Sequence, residues 1–158
     1  MYQWLLFLHI AAVLSFMLAH GVQAAIMWIQ HWEPDPERNL ALLESLPSLL
    51  LVRLPGTAIV VTGFLLVSVL SVWGQAWVWL SLFLLIGIWL AMWRFGAGYY
   101  DRIQAAATRA LEARGTPEEA AAADVFTSAR LGWHPIGMTV IGLGGLAAIL
   151  WLTIFKPF

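Results

Sequence analysis

The stretch that decides the fold is residues 4–30, WLLFLHIAAVLSFMLAHGVQAAIMWIQ. This apolar run is long enough to cross a bilayer, which requires about 20 apolar residues in a helix. His9, His20 and His31 recur every eleven residues along it and just beyond it. Eleven residues are three helical turns within about 20°, so the three histidines share one stripe of the predicted helix. Because ionisable side chains at membrane depth are costly, each one is a functional hypothesis by default.

The composition indicates a membrane protein. The chain has 158 residues, of which 61% are hydrophobic and 11% are charged, whereas a soluble domain carries about 25% charged residues. The net charge of −1, without a basic cluster, gives no indication of nucleic-acid binding. The absence of cysteine excludes disulfides, thiolate metal sites and iron–sulfur clusters. The N-terminus lacks the features of a cleaved signal peptide, so we expect the first helix to remain in the mature protein.

Four apolar segments predict the membrane spans, at about residues 3–30, 48–73, 77–97 and 135–155. Residues 98–133 are rich in alanine and charged side chains and predict a helical hairpin that extends spans three and four. Asp35 and Pro36 predict the start of a short amphipathic helix over about 36–46. The expected fold class is therefore all-α, an antiparallel four-helix transmembrane bundle with a cytoplasmic helical hairpin, in one domain.

The eight basic residues predict the orientation. All the arginines lie in the two long connections or at the span ends next to them, and the opposite side carries only Lys156 and the N-terminal amine. By the positive-inside rule, both long connections lie in the cytoplasm and both termini lie outside the inner (plasma) membrane. The lipid bilayer is thus the expected partner, and a homo-oligomer or a larger membrane complex stays open.

The inner histidines are the candidate cofactor ligands. His20 lies towards the inner half of span one and His134 at the inner end of span four, so both could approach one porphyrin if these spans are neighbours. Gly21 and the alanines near it leave room for the flat face of a haem beside His20. Span four also has glycines that allow close approach of a helix or a flat ligand, at positions 137, 142, 144 and 145.

Other interpretations of the histidines stay open. His20 and His134 could instead form hydrogen bonds between helices or to a partner, or bind a metal without porphyrin. His9 is either the alternative haem ligand from span one or an interhelical hydrogen-bonding group. His31 lies beyond the apolar stretch and is expected to be a solvated surface histidine.

The leading functional hypothesis is a small membrane protein that binds b-type haem or another porphyrin and takes part in electron transfer, alone or within a complex. The alternatives are a non-catalytic accessory subunit of a membrane complex and a metal-ion permease. No nucleophile elbow, phosphate loop or pair of carboxylates within a span is present, so the sequence leaves open whether the protein is an enzyme.

Four segments carry a resemblance, LHIAAVLSFMLAHGV, DPER, VVTG and GYYDRIQAA. Together they resemble a family of small bacterial four-helix integral membrane proteins of unknown function. The Leu-His-Ile of span one also resembles the copper-resistance D family, which implies metal handling, and the HemJ-type membrane protoporphyrinogen oxidases. The HemJ-type resemblance implies a haem-binding four-helix bundle with its span-one histidine at His9. That family also relies on a lysine in span three, whereas the only lysine here is Lys156.

Overall fold

A computed structural model describes residues 1–157, apart from the side chains of Leu49 and Ala97. The prediction of an all-α protein is confirmed, because the described residues form helices and no strand. The helices are α1 (Tyr2–Trp32), α2 (Pro36–Glu44), α3 (Leu49–Leu70), α4 (Ala76–Glu112), α5 (Glu119–Arg130), α6 (His134–Thr139) and α7 (Gly145–Phe155). A π-helical segment, Val140–Gly144, connects α6 to α7.

Four helical segments have the length and the apolar character needed to cross a bilayer, namely Tyr2–Trp32, Leu50–Leu70, Ala76–Glu112 and Glu119–Phe155. Large apolar side chains on these segments, such as Leu14, Phe64 and Phe83, are exposed on the protein surface. A lipid environment explains this exposure, since a soluble protein rarely presents so extensive an apolar surface. These helices therefore indicate a multi-pass membrane protein in a lipid bilayer.

The helix boundaries follow local chemistry. The Asp35 carboxylate accepts a hydrogen bond from the backbone N–H of Glu37 at 3.1 Å, and Pro36 occupies the first turn, so α2 begins as predicted. The third apolar segment continues without interruption as α4, a single helix of 37 residues. Beyond its end, Gly115 adopts a φ of +75°, a left-handed conformation that allows the chain to turn towards α5.

Two compact units make up the chain. Unit 1 consists of Met1–Gln23, Pro47–Ile86 and the described part of Gly145–Phe158. Four helices of this unit each contribute a buried apolar side chain: Ala12, Leu66, Val78 and Leu152. The Phe16 ring of α1 packs against α3 at Gly56, where an added Cβ would lie 3.6 Å from the ring.

Unit 2 consists of Ala24–Leu46 and Gly87–Gly144. Its core has two clusters of buried side chains. One cluster contains Met27, Tyr99, Ile103 and Met138, and the other contains Ala106, Ala107, Ala110 and Phe126. The alanines recur at intervals of three and four residues on α4, and their small side chains leave room for the Phe126 ring of α5.

Replacing Gly115 with alanine should destabilise the turn after α4, because a Cβ is unfavourable at a φ of +75° even though no atom lies within 4 Å of its position. We expect the free energy of unfolding to fall by about 1 kcal/mol. Thermal unfolding in detergent measures the effect. Gly74→Ala is the matched control, since the space around Gly74 is equally open and its φ is not left-handed. Equal stability of the two variants would contradict this explanation.

Candidate histidine sites

The three histidines of α1 have different surroundings, although they share one stripe of the helix. His9 and His20 belong to unit 1, whereas His31 and His134 belong to unit 2. The joint approach of His20 and His134 to one porphyrin therefore stays a prediction. What the structure describes is the environment of each imidazole within its own unit.

His9 is held by α3 through one ring nitrogen. Its Nδ1 lies 2.9 Å from the hydroxyl oxygen of Thr62. That hydroxyl donates its own proton to the backbone carbonyl of Ala58, one turn earlier on α3. The Thr62 oxygen then accepts from Nδ1–H of His9, and in the neutral imidazole the lone pair lies on Nε2. The contact orients the His9 imidazole against α3.

Gly63 makes space for this imidazole. A Cβ at position 63 would lie 3.3 Å from Cε1 of His9, closer than an ordinary van der Waals contact. Thr62 itself is buried, so its hydroxyl has little access to other partners. The VVTG sequence of span two suggests close helix packing, but it contains no signal that identifies His9 as the residue packed there.

His20 also lies on α1, and its Nδ1 has no hydrogen-bonding partner among the described residues. Its ring stacks on Phe16, with centroids 5.4 Å apart and an interplanar angle of 11°. Its Nδ1 is buried and has no hydrogen-bond partner among the described residues. Beside it, Gly21 has no neighbouring atom within 4 Å of where a Cβ would lie. His20 thus combines a buried, unpartnered nitrogen with open space at the adjacent residue.

His31 is a structural residue, and its expected role as a solvated surface histidine is wrong. Its Nδ1 donates to the backbone oxygen of Arg130 at 2.8 Å, and Arg130 Nη1 donates to the backbone oxygen of His31 at 2.8 Å. The ring is half-buried and lies edge-on to Trp28 and Trp32. The reciprocal bonds connect the ends of α1 and α5, a long-range contact that the local sequence does not reveal.

His134 is the first residue of α6, and its Nε2 is already engaged. Arg102 Nη2 lies 2.6 Å from that nitrogen. A guanidinium can only donate, so Nε2 accepts and the imidazole is neutral. The ring also stacks with Tyr99, with centroids 5.3 Å apart, and with Trp133, with centroids 4.8 Å apart. His134 can coordinate a metal through Nε2 only if Arg102 releases it.

Arg102 is a site residue that the sequence did not single out for this role. Its Nε donates to the backbone oxygen of Gly98 at 2.8 Å, which directs the guanidinium along α4 towards His134. Tyr99 and Arg102 are three residues apart and therefore lie on one face of the helix. That spacing is the only local signal, and it does not identify the partner from α6.

The space at Gly137 is taken by a neighbouring side chain. A Cβ at position 137 would collide with the Trp133 ring, which lies over the glycine from one turn earlier. The expectation that this glycine admits another helix or a flat ligand is therefore wrong. Gly144, by contrast, has nothing within 4 Å of its Cβ position.

Within the described part of the chain, no group of three histidine, aspartate or glutamate side chains is arranged to hold a metal ion. Comparisons of the chain with protein-family models, curated proteins and solved structures found no match. The functional argument therefore depends on the geometry of the individual imidazoles.

Gly63→Ala should weaken the contact between α1 and α3, because the added methyl group must displace the His9 ring or stretch its bond to Thr62. Overpacking of this kind costs about 1–3 kcal/mol, and we expect a corresponding loss in thermal stability in detergent. Gly87→Ala is the control, since no atom lies within 4 Å of that Cβ position. The packing explanation fails if the two substitutions have the same effect.

Proposed function

We propose that this protein binds b-type haem and takes part in electron transfer, alone or within a larger membrane complex. The observation that carries the proposal is the orientation of His9 by Thr62, whose hydroxyl oxygen lies 2.9 Å from Nδ1. Metal-ligating histidines almost always donate their other ring N–H to a protein acceptor, which fixes the tautomer and the ring orientation. His9 has this arrangement at membrane depth, where an ionisable side chain is energetically costly and is a functional hypothesis by default.

The donor set also fits haem. Imidazole is a common axial ligand of haem iron, and His20 is a further candidate ligand on the same helix. His9 and His20 are separated by about 16 Å along the helix axis, so they serve different iron positions. We place the first ligand at His9 and keep His20 with His134 as the alternative pair, for which Arg102 must release Nε2.

The residues around His9 have defined roles in this proposal. Haem iron, when bound, supplies the one-electron redox chemistry, and the protein fixes its ligands and their polarity. Thr62 would accept a hydrogen bond from Nδ1–H and donate one through its own hydroxyl to the Ala58 carbonyl, which would make the imidazole a more basic ligand. Gly63 keeps the ring close to α3.

The resemblance of the Leu-His-Ile segment to the HemJ-type and copper-resistance D families also favours His9. We do not extend the proposal to protoporphyrinogen oxidation, because span three contains no lysine.

The test is an optical spectrum of the full-length protein purified in detergent from haem-replete cells. We expect a Soret band and a reduced-minus-oxidised α band, and we expect His9→Ala to lose them. Thr62→Val should lower haem affinity about 10- to 100-fold, because the imidazole loses the acceptor that orients it. Thr62→Ser is the matched control, since it keeps the hydroxyl and should retain haem.

A colourless preparation would overturn the proposal. Haem that survives His9→Ala but is lost in both His20→Ala and His134→Ala would move the ligands to the alternative pair. A colourless protein that migrates as a stable larger assembly on native gels would favour the accessory subunit. Protein-dependent flux of copper or zinc into proteoliposomes would favour the permease.

The proposed topology is an antiparallel bundle in the inner membrane, with both termini outside and both long connections, including the hairpin of residues 98–133, in the cytoplasm. The distribution of the arginines supports this orientation. Two contacts support an antiparallel arrangement of α1 and α3, since His9 meets Thr62 whereas Phe16, further along α1, meets Gly56, earlier on α3.

Single cysteines test the orientation without background labelling, because the natural chain has none. We expect a membrane-impermeant maleimide to label Gly74→Cys on intact spheroplasts, and to label Ala120→Cys only after lysis. Both positions are exposed, so the difference in labelling measures sidedness and not burial. The reverse pattern would invert the proposed topology.

A further inference from the structure

A cavity of about 370 Å³ opens on the surface of unit 2 at the end of α1. The residues that line it are Trp28, Ile29, Trp32 and Glu33. Its volume falls within the range of small-molecule sites, about 300–1,000 Å³. The exposed fraction is 52% for Ile29 and 68% for Trp32, so a ligand can reach the cavity from outside the protein. None of the proposed haem ligands lines this cavity, and its chemistry points to a different ligand.

Two tryptophan rings form the aromatic side of the cavity. The Trp28 ring is held in place, because its Nε1 donates to the Thr139 hydroxyl at 2.9 Å. His31 lies edge-on to both rings, with centroids 6.1 Å from Trp28 and 4.9 Å from Trp32. The face of an indole ring attracts a cation that lies within about 6 Å of its centroid, more strongly than the ring of tyrosine or phenylalanine. This side of the cavity therefore favours a positively charged group.

Glu33 adds a carboxylate to the same cavity. Its Oε1 accepts a hydrogen bond from the backbone N–H of Asp35 at 3.0 Å, which orients the carboxylate. Its Oε2 lies 3.9 Å from Arg38 Nη1, whereas a charge-assisted hydrogen bond spans about 2.7–2.9 Å. The Arg38 side chain is 75% exposed. Oε2 can therefore accept from a closer donor in the cavity, while Arg38 presents a positive charge beside it.

This arrangement of charges matches a zwitterion. The carboxylate of Glu33 and the indole rings suit an ammonium group, which can donate to Oε2. The guanidinium of Arg38 suits a phosphate, which it can bind through two parallel hydrogen bonds. An ethanolamine phospholipid carries an ammonium and a phosphate joined by a short carbon chain. A headgroup with negative charge alone would bring that charge against Glu33.

The position of the cavity favours a lipid over a soluble zwitterion. The cavity lies at the end of Tyr2–Trp32, one of the segments that have the length and apolar character to cross a bilayer. Tryptophan is enriched at that level of membrane proteins, beside the lipid headgroups. Ala25, Ile29 and Trp32 are all exposed, and their spacing of four and three residues places them on one face of α1. Acyl chains can lie along this apolar face while the headgroup occupies the cavity.

We propose that this cavity binds the headgroup of one ethanolamine phospholipid. The ammonium group lies against Trp28, Trp32 and Glu33, and the phosphate lies at Arg38. The site is independent of the proposed haem ligands, because it uses none of them. It makes unit 2 selective for a zwitterionic lipid at the end of α1.

Native mass spectrometry of the full-length protein in detergent tests the lipid specificity. The protein is titrated with phosphatidylethanolamine, with its N-acetylated derivative and with phosphatidylglycerol. N-acetylation removes the ammonium group and keeps the phosphate and the acyl chains. We expect phosphatidylethanolamine to saturate one site at a concentration at least threefold lower than either of the other lipids. Equal binding of the three lipids, or a preference for an anionic one, would overturn the proposal.

Glu33→Gln tests the carboxylate. The amide keeps an oxygen that can accept from the Asp35 backbone, but it has no charge for the ammonium group. We expect the affinity for phosphatidylethanolamine to fall about twofold to fivefold, and the preference over the N-acetylated lipid to disappear. Glu37→Gln is the matched control, since it removes the same charge from an exposed position of α2 that does not line the cavity.

Trp32→Leu tests the aromatic side and should weaken phosphatidylethanolamine binding about twofold to fivefold, because a cation–π contact is lost. Trp93→Leu is the matched control, since Trp93 lies on α4 with the same exposed fraction, 68%, and does not line the cavity. Thermal unfolding of each variant without added lipid identifies any general loss of structure. If Glu33→Gln and Trp32→Leu bind phosphatidylethanolamine as tightly as their controls, the site is not in this cavity and the proposal is wrong.

Discussion

The absence of solvent partners inside a bilayer is the constraint on which this structure depends. Each backbone amide in the apolar core must be paired within its own segment, which is why the described spans are helices. The same constraint applies to side chains, and two polar groups on the spans bond to a residue of another helix or segment of the same unit. His9 bonds to Thr62 in unit 1, and Trp28 Nε1 donates to the Thr139 hydroxyl at 2.9 Å in unit 2.

The partner of each histidine, more than its spacing, determines its chemistry. The Thr62 hydroxyl oxygen lies 2.9 Å from Nδ1 of His9 and holds that ring against α3. The backbone oxygen of Arg130 accepts a hydrogen bond from Nδ1 of His31, which makes His31 part of the contact between α1 and α5. The Nδ1 of His20 is buried and has no hydrogen-bond partner among the described residues. The three histidines share one stripe of α1, but they differ in their hydrogen-bonding partners.

At His134, a metal ion would have to compete with Arg102 for the lone pair on Nε2. Its Nε2 accepts from Arg102, and Tyr99 and Trp133 both stack on its ring. This hydrogen bond orients the exposed guanidinium of Arg102, which forms no ion pair with a carboxylate in the described chain. Iron ligation by His134 therefore has a cost that ligation by His9 does not have, since it requires the loss of a charge-assisted hydrogen bond. This difference is why we place the first haem ligand at His9.

The sequence by itself determined the all-α class, the four apolar segments, the start of α2 at Asp35 and Pro36, and the continuation of α4 beyond the third apolar run. These features depend on hydrophobic length, helix propensity and capping, which are local properties of the chain. Only the tertiary structure decided that Thr62 meets His9, that Arg102 meets His134 and that the Trp133 ring covers Gly137. The first two contacts depend on how neighbouring helices are rotated and shifted, and all three depend on side-chain rotamers. A sequence that specifies each helix's own periodicity does not specify those variables.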